Sequence, residues 1–280
     1  MTQDQSMFTG QCWWVTGASS GIGAALARAL AARGAALILS GRNEAALADV
    51  AKDCGDTLLL PFEATDFDTV APRVEQAWNW RGRVHGLVNN AGISQRSLAV
   101  DTAFDVYRRI IDVDLLAPIA LTQALLPRML AAGGGRVVAI SSVAGILGAP
   151  MRTAYSAAKH GLIGYHDSLR AENEHLGLAV HVVAPGSIRT DISRNALTGD
   201  GARRGISDAA IDNGMAPEAF ADDVLAAIVA GRREIVLATG AEREIAELRR
   251  RDPEALFDRM SAVVRGGYAK RMGDEQGGKL

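Results

Sequence analysis

Short apolar runs recur along this 280-residue chain, and longer segments with helical patterning separate them. The runs do not alternate polar with apolar residues, which is typical of strands buried on both faces of a sheet. The intervening segments are long enough for the helical crossovers that parallel strands require. We therefore predict an α/β fold with a single doubly wound parallel sheet and helices on both faces. The seven predicted strands are 12–16, 35–40, 57–62, 84–89, 136–141, 179–184 and 234–238.

Local helix signals agree with this architecture. Asn43 is suited to cap one helix, Gly34 to end another, and Pro217 to begin a third. No Pro-rich or Ser-rich linker divides the chain. We predict one domain over residues 1–240 and a C-terminal helical extension over residues 241–280, with an end that frays from about Gly273.

Composition and charge restrict the class of function. The net charge of -2 and the pI near 6.2 argue against nucleic acid as a partner, because phosphate binding normally requires a basic surplus. Two cysteines, Cys12 and Cys54, are too few for a disulfide framework, which favours a reducing compartment. The five histidines lack metal-ligand spacing, so we predict no metal site. Trp13 and Trp14 are predicted to pack in the core rather than to stack on a ligand.

The start of the chain carries no targeting pattern. The first seven residues lack both a basic leader and an apolar core. No stretch reaches the roughly 18 uninterrupted apolar residues that a transmembrane helix needs. We expect a protein that does not span a membrane and that works in the cytoplasm.

A glycine-rich turn, Thr16 to Gly23, follows the first predicted strand and opens an Ala-rich helix. Gly17 can adopt a tight turn, Gly21 lets the backbone approach a diphosphate, and Gly23 permits close packing of helix on strand. The helix N-terminus supplies amide donors for an anion. The spacing is Gly-x-x-x-Gly-x-Gly, and a glycine cluster by itself can also be a plain turn. Its position after the first strand favours a Rossmann-like dinucleotide site.

The tip of the second strand bears on cofactor choice, since an acidic side chain there would bond a ribose 2′-hydroxyl and repel a 2′-phosphate. Here the sequence is Ser40-Gly41-Arg42-Asn43, with no carboxylate. Arg42 offers a fork of donors that matches phosphate oxygens, so NADP(H) is favoured and NAD is less favoured. The alternative is a surface arginine without a ligand. Glu63 and Asp66 follow the third strand and are expected near the adenine.

Tyr155 and Lys159 lie four residues apart, with Ser142 thirteen residues upstream of the tyrosine. If this segment is helical, the phenol and the ammonium share one face. An ammonium about 5 Å from a phenolate stabilises it by about 3 kcal/mol at an effective dielectric of about 20. The pattern indicates proton transfer at a carbonyl or alcohol. The alternatives without a catalytic role are that Tyr155 and Lys159 form a surface pair on a helix and that Ser142 is an ordinary serine at a strand end.

Taken together, the chain to about residue 240 resembles the short-chain dehydrogenase/reductase family. The motifs that carry the resemblance are the 16–23 turn, Asn89-Asn90-Ala91-Gly92, Ser142, Tyr155 with Lys159, and 185–190, in the family's order and approximate spacing. Residues 195–201 are similar to the substrate-loop pattern of the member-7B-like branch of the dehydrogenase/reductase group.

The resemblance implies roles for these residues. Tyr155 is the expected general acid/base, Ser142 is expected to bond the substrate oxygen, and Lys159 is expected to hold the nicotinamide ribose as well. The family's usual dimer bundle would involve helices near 103–130 and 153–176, so a homodimer or homotetramer is expected. The predicted cofactor-binding residues are Gly17, Ser19, Ser20, Gly21, Ile22, Gly23, Arg42, Glu63, Ala64, Asn90, Ala91, Gly92, Tyr155, Lys159, Pro185, Gly186, Ile188 and Thr190.

Asp114 departs from the family pattern, which usually has Asn at this position. In the family that Asn helps to hold a water that links the lysine to solvent. An aspartate can accept from the water but cannot donate, and its charge opposes the effect of Lys159 on a phenolate. We predict that Asp114 takes part in catalysis. Three possibilities follow: a raised pH optimum, a protonated Asp114, or a carboxyl group turned away.

The sequence therefore predicts an NADP(H)-dependent oxidoreductase that interconverts a carbonyl and an alcohol on a small or medium apolar molecule. Residues 187–216 are expected to form a flexible lid over an apolar pocket. The rival from another class is a nucleotide-binding regulatory protein with little turnover. A sugar-nucleotide epimerase would use a similar Tyr and Lys but needs a larger substrate domain.

Overall fold

The computed structural model describes residues 7–274, and it confirms the predicted parallel sheet. The strand order is β3-β2-β1-β4-β5-β6-β7, and every neighbouring pair is parallel. The strands are β1 Cys12–Thr16, β2 Ala36–Ser40, β3 Thr57–Leu59, β4 Gly86–Asn89, β5 Gly135–Ile140, β6 Leu178–Pro185 and β7 Glu234–Leu237.

Helices connect the strands and cover both faces of the sheet. The predicted cap at Asn43 is confirmed, because its side chain accepts from the backbone N–H of Ala46. The predicted end at Gly34 and the predicted start at Pro217 are confirmed as well. The helices are α1 Gly21–Ala32, α2 Glu44–Ala51, α3 Val70–Arg81, α4 Phe104–Ile111, α5 Ala117–Ala131, α6 Thr153–Asn173, α7 Ala209–Asp212, α8 Pro217–Val229, α9 Gly240–Arg251, α10 Pro253–Arg265 and α11 Tyr268–Asp274.

The strand order reverses between β1 and β4. The chain moves outward from β1 to β3 and then returns to place β4 on the other side of β1. In sheets of this kind, the loops after the two central strands diverge and leave a crevice at their carboxyl ends, where ligands bind. The topology therefore puts the glycine-rich turn after β1 and the Asn-Asn-Ala-Gly motif after β4 beside one another.

Trp13 and Trp14 show how the core divides. Successive side chains of a strand point to opposite faces. Trp13 packs with α1 and α8 on one face, while Trp14 packs with α3 and α5 on the other. Both indoles are fully buried, so the prediction that they pack in the core is confirmed. The Trp14 Nε1–H donates to the Ser40 Oγ atom at 2.8 Å, which ties β1 to β2.

The third strand is the one clear departure from the predicted strand bounds. It was expected over 57–62 but ends at Leu59. Pro61 has no backbone N–H to donate to a sheet ladder, and β3 is an edge strand that pairs only with β2. The other predicted strands agree with the structure to within two residues.

The C-terminal helices continue past β7 and pack against the loop that follows β5. Leu256 and Ala246 are buried with Val143 and Leu147 in a small apolar cluster. The extension therefore lies close to the carboxyl end of the sheet. The expected frayed end, from about Gly273, lies mostly beyond Asp274 and thus outside the described residues.

One helical stretch, Phe104–Ala131, is long and apolar enough to cross a membrane by length and composition. It comprises α4, a π-helical turn and α5. Leu121, Leu125 and Met129 on this stretch are buried in the core against the sheet. A core helix of this kind passes the same test of length and composition as a membrane span.

Candidate active site

A cleft of about 830 Å³ opens at the carboxyl ends of the central strands. It brings together every residue predicted to bind the cofactor or to act in catalysis, with the exception of Gly23. Asp66, which was expected near the adenine, does not line it either. The predicted residues that line it are Gly17, Ser19, Ser20, Gly21, Ile22, Arg42, Glu63, Ala64, Asn90, Ala91, Gly92, Asp114, Ser142, Tyr155, Lys159, Pro185, Gly186, Ile188 and Thr190.

Gly23 lies behind the cleft wall, where it allows the turn to pack closely. A Cβ atom there would lie 2.2 Å from the Gly17 carbonyl oxygen and 2.5 Å from the Asn90 Nδ2 atom. Gly17 has a φ of 63°, which favours glycine. The Asn90 amide donates to the Thr16 carbonyl oxygen at 2.9 Å, which fastens the turn to the segment after β4.

The N-terminus of α1 is suited to a phosphate group. Ser20 is the N-cap residue, but its side chain makes no capping hydrogen bond. Among the described residues, the first N–H groups of the helix therefore have no intrahelical or side-chain acceptor, and they lie at the cleft. Amides in this position bind phosphates well. The turn thus fits the diphosphate of a dinucleotide.

Arg42 lies at the far end of the same cleft, after β2. Its Nη1 atom is 3.5 Å from the Glu63 Oε2 atom, and the two side chains are 64% and 46% exposed. An exposed ion pair of this kind contributes little and exchanges readily for another partner. The Arg42 guanidinium is therefore available to a ligand phosphate.

Helix α6 places Tyr155 and Lys159 on one face, as predicted. The Lys159 Nζ atom lies 5.6 Å from the centroid of the Tyr155 ring. The same ammonium donates to the Ile140 carbonyl oxygen at 3.1 Å, so the end of β5 fixes it in place. A lysine ammonium has three donors. Its position at the cleft leaves a donor for a ligand.

Ser142 stands two residues after β5 and lines the same cleft as Tyr155 and Lys159. Its Oγ atom accepts from the backbone N–H of Ala144 at 3.1 Å. The bond orients the hydroxyl and uses its acceptor side, so the O–H remains free to donate to a substrate oxygen.

Asp114 is held in a π-helical turn, Asp112–Leu116, that joins α4 to α5. Its Oδ2 atom lies 3.2 Å from the Lys159 Nζ atom, and both side chains are buried. Its Oδ1 atom accepts from the backbone N–H of Ile93 at 2.8 Å. A Cβ atom on Gly92 would lie 2.9 Å from the Asp114 Oδ2 atom, so glycine is needed there. The structure excludes the possibility that the carboxyl group is turned away.

Burial and mutual contact shift the pKa values of both Asp114 and Lys159. Burial raises the pKa of Asp114, and the Lys159 ammonium offsets part of that rise. Burial acts to lower the pKa of Lys159, but the negative charges of the Asp114 carboxylate and of the ionised Tyr155 phenolate outweigh it and hold the pKa above its ordinary value. Lys159 therefore keeps its charge at neutral pH, and Asp114 is less acidic than an exposed aspartate.

We expect Asp114→Asn to shift the pH–rate profile for alcohol oxidation to lower pH by about one unit. The substitution removes the negative charge that opposes the Lys159 ammonium, so a Tyr155 phenolate is favoured at lower pH. The asparagine keeps an oxygen for the Ile93 N–H. The measurement is kcat/KM against pH for the wild type and the variant. Asp112→Asn, in the same turn, is the control. If the pH–rate profile of Asp114→Asn is the same as that of the wild type, Asp114 takes no part in the mechanism.

Two loops build the remaining wall of the cleft, at the end away from Arg42. The segment after β4 and the segment after β6 meet where Gln95 pairs with Leu197. The Gln95 Oε1 atom accepts from the backbone N–H of Ala154 at 2.9 Å, at the start of α6. The predicted lid, 187–216, thus lines the cleft through Ile192, Leu197 and other residues. Its mobility stays a prediction.

This wall contains a cluster of arginines that the sequence analysis missed. Arg96, Arg152 and Arg204 all contact the carboxylate of Asp208. Burial and the Arg152 charge lower the pKa of Arg96 to about 10, and Asp208 opposes them. Burial acts to raise the pKa of Asp208, but Arg96 and Arg204 outweigh it and hold the pKa below its ordinary value. No spacing rule connects these residues, because Arg96 and Asp208 are 112 positions apart.

The C-terminal helices complete the cleft. Ile245 of α9, Met260 and Val263 of α10, and Tyr268 of α11 line it together with Leu147. These side chains give the cleft an apolar part of its lining. Among residues 7–274, no group of three or more His, Cys, Asp and Glu side chains is placed to hold a metal ion.

The family model and the similar proteins agree on one family. The family model of the short-chain dehydrogenases matches residues 11–200. The chain is 36% identical to dehydrogenase/reductase SDR family member 7B of Danio rerio over 272 residues, which is 94% of this chain and 87% of the relative.

Solved structures share the fold. A short-chain dehydrogenase from Burkholderia cenocepacia in complex with NADP is 25% identical, with a TM-score of 0.77 over 90% of this chain and 98% of the other. A short-chain dehydrogenase/reductase from Burkholderia phymatum in complex with NAD is 22% identical, with a TM-score of 0.79 over 89% and 95% of the two chains, and shares the fold.

Proposed function

The chain belongs to the short-chain dehydrogenase/reductase family, in its member-7B-like branch, and we propose that it is an NADP(H)-dependent enzyme that interconverts a carbonyl and an alcohol on a small or medium apolar molecule. Membership of the family makes it an oxidoreductase that acts on CH–OH groups with a nicotinamide dinucleotide as acceptor. The preference for NADP(H) and the apolar substrate go beyond what membership of the family implies.

The observation that carries the proposal is the position of three side chains around one end of the cleft. Tyr155 and Lys159 lie on one face of α6, with the ammonium 5.6 Å from the ring centroid, and Ser142 lines the same cleft with a free O–H. These are a proton donor, a cation and a hydrogen-bond donor, which together suit an oxygen that gains negative charge.

NADPH, when bound, supplies a hydride to the carbonyl carbon. The Ser142 hydroxyl binds the carbonyl oxygen and stabilises the charge that develops on it. The Tyr155 hydroxyl gives its proton to that oxygen, and the Lys159 ammonium stabilises the phenolate that remains. In alcohol oxidation the same groups act in reverse. The apolar side formed by Leu147, Ile245 and Met260 would hold the carbon skeleton and exclude water.

The preference for NADP(H) is supported by Arg42 and by the absence of a carboxylate at the tip of β2. We expect Arg42→Ala to weaken NADPH binding by about 10- to 100-fold, because a charge-assisted bond to a phosphate contributes about 1.5–3 kcal/mol. NADH binding should change less than threefold. The measurement is Kd for both cofactors by fluorescence titration. Arg28→Ala, an exposed arginine on α1 outside the cleft, is the control; an equal loss for both cofactors would contradict the assignment.

The activity itself is tested with purified protein, NADPH and a panel of ketones, aldehydes and diketones, followed at the absorbance of the reduced nicotinamide. We expect oxidation of NADPH that depends on the carbonyl compound. Binding of NADPH without such oxidation would instead support a regulatory protein with little turnover.

The cytoplasm as the site of action and a homodimer or homotetramer as the assembly are further parts of the proposal. The exposed apolar side chains of Val100, Phe104 and Leu116 support the assembly, because they lie on or beside α4 and α5, where the family's helix bundle forms. Light scattering on the purified protein measures the mass, and cell fractionation measures the location.

A further inference from the structure

Three arginines share one carboxylate at the end of the cleft where the loops after β4 and β6 meet. The Arg96 Nε atom donates to the Asp208 Oδ2 atom at 2.8 Å, and the Arg152 Nη2 atom donates to the same oxygen at 3.4 Å. Arg204 Nη1 donates to the other oxygen, Oδ1. Three guanidinium groups on one carboxylate leave the cluster with a net charge of +2.

The surplus charge is buried. The side chains of Arg96 and Arg204 are 3% and 0% exposed, and that of Asp208 is 5% exposed. The Nε and Nη2 atoms of Arg204 and the Nε atom of Arg152 are buried and have no hydrogen-bond partner in the part of the chain that the structure describes. Buried charges and buried N–H groups without partners cost free energy, which a second anion bound at the cluster would offset.

The cluster faces the active-site cleft. Arg96 and Arg152 line the cleft, and the exposed side chains of Arg109 and Arg203 line it too. Within residues 7–274, Arg109 and Arg203 form no ion pair. This part of the cleft thus has an excess of positive charge.

The acidic residues of the cleft do not balance this charge. Asp114 is paired with Lys159, and Glu63 is paired with Arg42 after β2. Glu242 accepts from the N–H and the hydroxyl of Ser187 and keeps its charge, but one carboxylate does not offset the arginines. Asp191 is paired with Arg194, on the lid.

We propose that the substrate carries an anionic group, a carboxylate or a phosphate monoester, and that this group binds to Arg152 and its neighbouring arginines while the carbonyl lies between Ser142 and Tyr155. The proposal rests on the proposed function and narrows its substrate to amphipathic molecules, with an apolar body and a charged end. Arginine is the residue best suited to bind either anion, because its planar donors match two oxygens at once.

The position of Arg152 sets how far the anionic group lies from the reacting carbon. Arg152 precedes Tyr155 by three residues and is the N-cap residue of α6. Arg152 and Tyr155 both line the cleft. An anionic group at the Arg152 guanidinium and a carbonyl at Tyr155 therefore lie in one cleft and can belong to one substrate molecule. Keto acids that differ in the position of the carbonyl measure the spacing between the two groups.

Binding tests the anion site without any turnover. The probes are octanoate, octyl phosphate and methyl octanoate, titrated by calorimetry into the full chain with and without NADP. We expect the better of the two anions to bind at least tenfold more tightly than the ester, and the comparison between them distinguishes a carboxylate site from a phosphate site. Equal binding of the ester and both anions would overturn the proposal.

Variants locate the site. We expect Arg152→Gln to reduce the preference for the anion over the ester at least tenfold. Arg108→Gln is the matched control, because Arg108 is an exposed arginine next to Arg109 that does not line the cleft. Arg203→Gln, on the exposed side of the cleft, gives a second variant that does not disturb the buried cluster. A preference that survives both Arg152→Gln and Arg203→Gln would overturn the assignment to these residues.

Turnover separates this proposal from the proposed function. The substrates are 3-oxo-, 5-oxo- and 7-oxodecanoate and their methyl esters, with NADPH. We expect kcat/KM to be higher for at least one acid than for its ester, mainly through KM. Equal rates for each acid and its ester would leave the oxidoreductase intact and overturn the anion site. Tight anion binding without any NADPH oxidation would support the anion site and overturn the oxidoreductase activity.

Discussion

Tyr155→Phe should lower kcat for carbonyl reduction by about 10²- to 10⁴-fold, the range that a positioned general acid contributes. The phenyl ring keeps the packing on α6, so the loss reports the missing proton donor and not a change of fold. Lys159 remains 3.1 Å from the Ile140 carbonyl oxygen and 3.2 Å from Asp114, because the strand and the π-helical turn hold it. NADPH should therefore still bind. The measurements are steady-state kinetics and a fluorescence titration of the cofactor.

Tyr165→Phe provides the matched control. Tyr165 lies on the same helix, partly buried in the core and outside the cleft, so this variant should keep its activity. If Tyr155→Phe reduces carbonyl compounds as fast as the wild type, the acid must be another group, and the role given to the pair on α6 is wrong.

Asp208→Asn should lower the free energy of unfolding by about 3–5 kcal/mol, as expected when one partner of a buried ion pair is removed. Arg96, Arg152 and Arg204 would lose their shared carboxylate while they remain packed together. The melting temperature should fall by roughly 10 °C or more. The measurement is thermal unfolding by circular dichroism, with urea unfolding as a second method.

Asp212→Asn is the control for that loss. Asp212 is exposed, lies four residues further along the same segment, and should change the stability by no more than about 0.5 kcal/mol. An Asp208→Asn variant as stable as the wild type would show that the arginines do not depend on this carboxylate.

The stability of Asp208→Asn relative to the wild type is also expected to depend on pH. The arginines hold the pKa of Asp208 below its ordinary value. A group of this kind stabilises the fold above its unfolded pKa, near 4, and loses that contribution as the pH falls through its lower folded pKa. The difference in stability between the wild type and Asp208→Asn should therefore shrink on acidification below about pH 4.

Two walls of the cleft differ in how they are built. The catalytic wall uses strand ends and one long helix, so Lys159 and Ser142 are fixed by backbone contacts at 3.1 Å. The adjoining wall uses loops held together by the Gln95 to Leu197 bridge and by Asp208. We expect variation in substrate choice to arise from the loop wall, since catalysis places stricter demands on geometry.

Most of the fold was predictable from local sequence. The strands are short apolar runs buried on both faces, and the caps at Asn43, Gly34 and Pro217 act through their own backbone neighbours. The glycine turn and the pair on α6 are also local patterns, with spacings of a few residues. Even the exception at β3 has a local cause, because Pro61 lacks the backbone N–H that a longer strand would need.

The sequence by itself determined which segments become strands and helices and which side chains carry proton chemistry, because those properties depend on neighbours along the chain. Only the tertiary structure decided that Asp114 is paired with Lys159 and that Arg96, Arg152 and Arg204 meet at Asp208. These contacts join residues far apart in sequence. The pKa values of their side chains shift only because folding removes the charged groups from water and brings them together.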